Sequence, residues 1–114
     1  MKITINNKEF GVKFGFGALR ILCTKWNETT IGGLNKHFAK LNFKDGEEPT
    51  FAQYDLIADL TIAGLLNANK KGSFDVDDVL TALVKDIDKL TELMTLFMDS
   101  MPKQEPANPE SRKN

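Results

Sequence analysis

The side chains able to do chemistry are few and scattered in this chain of 114 residues. His37 is the only histidine and Cys23 the only cysteine. Neither has a second soft ligand with which to share a transition metal, and a lone thiol closes no internal disulfide. The sequence holds no phosphate loop, dinucleotide fingerprint, nucleophile elbow or zinc spacing. His37, beside Phe38 in a lysine-rich stretch, reads as a surface or boundary residue, and Cys23 as a small side chain on an apolar stripe. Asp75, Asp77 and Asp78 suit the start of a helix, where a short carboxylate caps free N–H groups and meets the positive end of the dipole. The expectation is a protein that is not an enzyme, with no catalytic residue, no cofactor and no metal ligand.

Two spacings come closer to binding motifs. Residues 67–78 overlay the twelve-residue calcium loop of an EF-hand, with oxygen-bearing side chains at places 1, 3, 9 and 12 and glycine at place 6. Lys71, however, stands where an oxygen is needed, Asn67 and Asn69 are neutral, and Asp78 is shorter than the usual bidentate glutamate. A helix, a glycine turn and a capped helix describe this stretch more simply. Residues 22–34 have the rhythm of a helix-turn-helix, with Asn35, Lys36, His37 and Lys40 on the outer face. Its second helix would open on Gly32 and Gly33, with no arginine to read guanine. Two packed helices are the plainer account, and a nucleic-acid binder using the basic N-terminal half is the alternative function.

Residues 1–14 alternate as a β-hairpin must. With Asn7 and Lys8 as a two-residue turn, Ile5 faces Phe10, Ile3 faces Val12 and Met1 faces Phe14, all on one side. Two strands alone are marginal in water, so the hairpin must lie on helices or extend a partner's sheet.

Helices are expected at about 16–26, 31–41, 50–69, 75–85 and 88–101, from apolar stripes at helical spacing and from capping residues. The stripes are Leu19, Leu22, Cys23 and Trp26 in the first and Ile31, Leu34, Phe38 and Leu41 in the second. The helix at 50–69 is the one the others must pack around. Thr50 and Gln53 form a capping box behind Pro49, and residues 60–66 are apolar almost all round, with Ile62 at their centre.

Phe74 is placed to staple onto Val79 at the start of the next helix. From Val76 through Leu80, Leu83, Ile87, Leu90, Met94 and Phe97 to Met101 the apolar positions keep a heptad alternation, with a break favoured at 86–88. Residues 42–49 read as a surface loop with Phe43 tucked back, and the proline-rich residues 102–114 as a disordered tail. The fold class is α+β and mostly helical, an N-terminal hairpin on a bundle of four to five helices in one domain, 1–101.

The net charge of −1 conceals +6 over residues 1–44 and −8 over residues 45–101. Halves of opposite sign attract each other within a domain or head to tail between copies, and a homo-oligomer is expected. No apolar leader opens the chain, and no run of about 20 apolar residues is present to span a bilayer, so a cytoplasmic protein without membrane contact is expected.

Several stretches together carry a family likeness. They are the opening Met-Lys-Ile-Thr-Ile-Asn-Asn-Lys-Glu-Phe, the Phe14-Gly-Phe16-Gly lead into an amphipathic helix, the Pro-Thr-Phe-Ala-Gln-Tyr-Asp helix start, the acid-rich capped helix and the last helix, rich in Leu, Met and Phe. In this combination the chain resembles the tail assembly chaperones of long-tailed bacteriophages over most of residues 1–101. The resemblance implies a non-enzymatic partner of the tape measure protein in the host cytoplasm. Such a partner keeps that long apolar chain from aggregating while the tail tube polymerises, with the tail tube protein as a further partner. It carries over no functional residue. The residues themselves suggest as binding surfaces the hairpin, with Ile3, Ile5, Phe10 and Val12, and the methionine-rich end, with Met94, Phe97, Met98 and Met101. Ordinary core filling is the other role open to those methionines.

Overall fold

In a computed structural model that describes residues 1–41 and 49–100, Asn6 and Asn7 both take a left-handed backbone, with φ 51° and 66°. Asparagine enters that region more readily than most residues, and two in succession make the tight turn that matches the twist of paired strands. The hairpin is therefore β1 (Lys2–Ile5) and β2 (Lys8–Gly11), antiparallel, with Ile5 opposite Lys8 and Ile3 opposite Phe10. This corrects the expected turn at Asn7 and Lys8, which set Ile5 against Phe10 and Ile3 against Val12. The two registers differ by two residues, so both keep the same apolar face and alternation alone does not separate them. Turn chemistry does, because a left-handed φ at Lys8 would cost more than one at Asn6.

The helices begin and end where local chemistry requires. Gly15, at φ 140°, opens α1 (Phe16–Trp26), and the left-handed Asn27 closes it. Thr30 caps α2 (Ile31–Phe38), its hydroxyl accepting from the Gly33 N–H at 2.9 Å. The helix expected to reach residue 41 tightens to a 3-10 turn over Ala39–Leu41. The capping box of α3 (Phe51–Ala68) is complete, the Gln53 N–H donating to Thr50 Oγ1 at 3.2 Å and the Thr50 N–H to Gln53 Oε1 at 2.8 Å. Asp75 caps α4 (Val76–Lys85), and Asp86 interrupts the chain before α5 (Ile87–Ser100) by accepting the Lys89 N–H at 3.3 Å.

The result is an α+β, mostly helical fold built on α3, which packs against α1, α4 and β2. Ile57, Leu60, Ala63 and Leu65 are buried along it, and so is Thr61, whose hydroxyl donates to the Ile57 carbonyl at 2.7 Å. Ile62, expected at the centre, is half-buried at the margin of this core. The hairpin is fastened to the C-terminal end of α3. Lys13 N–H donates to the Gly64 carbonyl at 3.1 Å, while the side-chain amides of Asn67 and Asn69 donate to the carbonyls of Lys13 and Gly11, each at 2.9 Å.

The interruption at Asp86 shifts the phase of the apolar positions. α4 buries Val79 and Leu83, α5 buries Leu93 and Phe97, and Ile87 is left 61% exposed. The expected heptad seam is therefore not continuous, because two helices meeting at a break do not share one face. Phe97 enters the core edge-on to Phe14 and Phe38, with ring centroids 5.3 and 5.0 Å away. Phe74, expected to staple onto Val79, sets its ring edge-on to Phe10 at 5.1 Å. Met101, residues 42–48 of the loop expected at 42–49, with Phe43, and the tail expected at 102–114 lie outside the described residues.

Candidate docking face

A helix with two adjoining apolar rows can turn only one of them fully inward. In α4 the row Val79 and Leu83 goes into the core. Val76, Leu80 and Val84, at successive fourth positions, form the neighbouring row, which faces partly outward. Val76 and Val84 are exposed, Leu80 is half-buried, and Phe51 in the first turn of α3 is 87% exposed. These residues, with Tyr54 and Thr81, line an open groove of about 540 Å³ between α3 and α4. Asp55, Asp77 and Lys85 supply its charged rim. Large apolar side chains gathered in one open groove, with charge at the margin, are the surface pattern of a protein-docking site.

The residues expected from sequence to bind a partner fall mostly elsewhere. Ile3, Ile5, Val12 and Phe97 are core residues, 6% exposed or less, and Phe10 and Met94 are half-buried. Met98 is exposed, and Met101 lies outside the described residues. This is a correction. The hairpin spends its apolar face on its own α3 and α4, and the last helix turns Phe97 inward. Phe51 and Val84 were missed. The available signal was the row of Val76, Leu80 and Val84 running beside Val79 and Leu83, which gives α4 more apolar width than one contact uses.

The other candidate chemistry is taken up internally. In the stretch like a calcium loop, Asn67 and Asn69 hold the hairpin, Asp75 caps α4, and Asp78 Oδ2 accepts from the Asn6 amide at 3.1 Å. Among the described residues no cluster of three or more histidine, cysteine, aspartate or glutamate side chains is placed to hold a metal ion. In the stretch like a helix-turn-helix, Glu28 Oε2 accepts from Lys36 Nζ at 2.9 Å and pairs with His37 Nε2 at 2.8 Å. Lys36, and after it His37, hold the Glu28 carboxyl below its ordinary value. His37 also stacks on Trp26, whose indole N–H donates to Asp59 at 2.8 Å. A carboxylate thus sits among the side chains that phosphate contact would need free.

A second cleft, of about 470 Å³, separates the hairpin tip from the α4–α5 junction. Its lining is of mixed sign, with Asp78 and Asp86 beside Lys85 and Lys89.

No helix of the described residues is long and apolar enough to cross a membrane. What fold and face together define is a mostly helical α+β protein with an open apolar groove rimmed by two acids and a lysine. Comparison of the chain with models of known families, with characterised proteins and with solved structures finds no match.

Proposed function

We propose that this chain is a non-enzymatic, protein-binding chaperone of phage tail assembly. It engages the tape measure protein, and also the tail tube protein, in the host cytoplasm, as its sequence resemblance implies. The observation that supports this reading is the groove of Phe51, Val76, Leu80 and Val84. Val76 to Val84 runs about 12 Å along α4, at 1.5 Å per residue, enough for roughly two turns of a client helix. A client presenting apolar residues at every third and fourth position fits that length. The pairing of Lys36 and His37 with Glu28 favours a protein client over nucleic acid.

Coexpression with the tape measure protein of the same genome tests the reading. The wild-type chain keeps the tape measure protein in the supernatant and co-purifies with it, whereas Val84→Asp does neither while keeping its helical circular dichroism. Failure of the wild type to retain the tape measure protein overturns the proposal. A DNA affinity that falls steeply with salt would favour the nucleic-acid alternative instead.

A further inference from the structure

We infer that the outer edge of β1 receives an extended, acidic peptide segment of a partner protein, added as a third strand in the cleft between the hairpin and the α4–α5 junction. In an antiparallel pair, opposed residues alternate between those that bond each other and those that turn their N–H and C=O outward. The Val12 N–H donates to the Met1 carbonyl at 2.9 Å, so Met1 and Val12 bond each other, and by register so do Ile3 with Phe10 and Ile5 with Lys8. Lys2 and Thr4 on β1, and Glu9 and Gly11 on β2, therefore turn their main-chain groups away from the ladder. On β2 that side is closed, because the Gly11 carbonyl accepts from the Asn69 amide at 2.9 Å. On β1, among the described residues, no hydrogen bond takes up the outward groups of Lys2 and Thr4, and both residues are exposed.

The cleft of about 470 Å³ lies along this edge. Ile3 and Thr4 point to opposite faces of the hairpin, yet both line it, and no residue of β2 does. Its far wall is Thr81, Ala82 and Lys85 of α4 with Lys89 of α5. A row of outward N–H and C=O groups is complemented by another extended main chain, and the four residues of β1 offer about 13 Å of it, at roughly 3.3 Å per residue. Charge selects among such segments. Both acids of the cleft are engaged, Asp78 by the Asn6 amide at 3.1 Å and Asp86 by the Lys89 N–H at 3.3 Å. Lys89 pairs with Glu92 at 3.7 Å, while Lys85 is in no ion pair among the described residues. Its ammonium calls for a carboxylate on the incoming strand. Thr81 and Lys85 form the ridge between this cleft and the α3–α4 groove, so the two sites adjoin without coinciding. The inference stands on the edge and the cleft alone and does not depend on the chaperone reading.

Fluorescence anisotropy of the full chain with a labelled short peptide of alternating valine and glutamate tests this. The wild type binds the peptide, and NMR shows slowed exchange of the Thr4 amide, which side-chain contact alone does not produce. Replacing the glutamates by lysine, or N-methylating the peptide amides that face β1, weakens binding by at least about tenfold, the scale of leaving a peptide group unpaired. Thr4→Pro removes an outward N–H without touching the ladder and has the same effect, whereas Glu9→Pro, its counterpart on β2, does not. Lys85→Glu shifts the preference toward the lysine peptide. Should Thr4→Pro lose its circular dichroism, the N-methylated peptide on the wild type decides. A wild type that leaves the peptide unbound at millimolar concentration overturns the inference, and so does binding indifferent to N-methylation. If Thr4→Pro instead abolishes concentration-dependent sedimentation and leaves peptide binding unchanged, the edge belongs to a second copy and the inference is likewise overturned. Peptide binding by a chain that fails to retain the tape measure protein would refute the chaperone reading and leave this one standing, while client retention without peptide binding would do the reverse.

Discussion

The ring of Phe14 lies against Gly64 in the C-terminal half of α3. A methyl group at Gly64 would stand 2.7 Å from Phe14 Cε1 and 2.7 Å from Val12 Cγ1, closer than real side chains approach. The absence of a side chain there lets the end of the hairpin rest on helix backbone, where the Lys13 N–H reaches the Gly64 carbonyl. Gly64→Ala therefore destabilises the fold by about 1–3 kcal/mol, the usual cost of overpacking, despite alanine's better helix propensity. Urea denaturation measures this, and an unchanged or raised midpoint would show that the hairpin does not need the close approach.

Phe97 and Met98 are neighbours in sequence and opposites in environment, 2% and 64% exposed. Phe97→Ala costs about 3–5 kcal/mol, because it removes a ring packed against Phe14 and Phe38. Met98→Ala stays within about 0.5 kcal/mol. Thermal melts of the two variants distinguish this arrangement from one in which both residues serve a partner.

Asn7 holds a φ of 66° in the hairpin turn. Glycine pays no steric penalty there, so Asn7→Gly raises stability by up to about 1 kcal/mol, while a β-branched Asn7→Val lowers it by about 1–2 kcal/mol. Asn7 would sit in the turn under the alternative register too, so the registers are separated by the positions they do not share. Glycine is favourable at position 6 with Asn6 in the turn, and at position 8 only if Lys8 were in it. Denaturation midpoints of Asn6→Gly and Lys8→Gly decide between the two.

Glu28 carries a carboxyl lowered first by Lys36 and then by His37. A carboxyl whose pKa is lower in the folded state than in the unfolded state adds stability that is complete above the unfolded value and disappears as pH falls through the folded one. The gap in stability between wild type and Glu28→Gln is therefore full near neutral pH and closes on acidification below the ordinary carboxylate range. Melting temperatures across that range check the sign, and a gap that widens in acid would contradict it.

Much of the local architecture was legible in the chain. The capping box of Thr50 and Gln53, the caps at Thr30 and Asp75 and the interruption at Asp86 each depend on side chains within about four residues of the groups they satisfy, so sequence order alone specifies them. The burial of α3 was equally readable, because a helix apolar almost all round has to be covered.

Only tertiary structure decided which of several equally apolar rows went inside. Alternation fixed the hairpin's face but admitted registers two residues apart, and the left-handed pair Asn6 and Asn7 chose between them. α4 carries two rows, and docking on α3 and β1 buried Val79 and Leu83 while leaving Val76 and Val84 at the surface. The break at Asp86 then turned Phe97 into the core and Ile87 out of it. The physical reason is the same in each case. Caps and turns are settled by neighbours along the chain, whereas the choice of buried face belongs to contacts between segments far apart in sequence, so the open groove came into view only once the helices were packed.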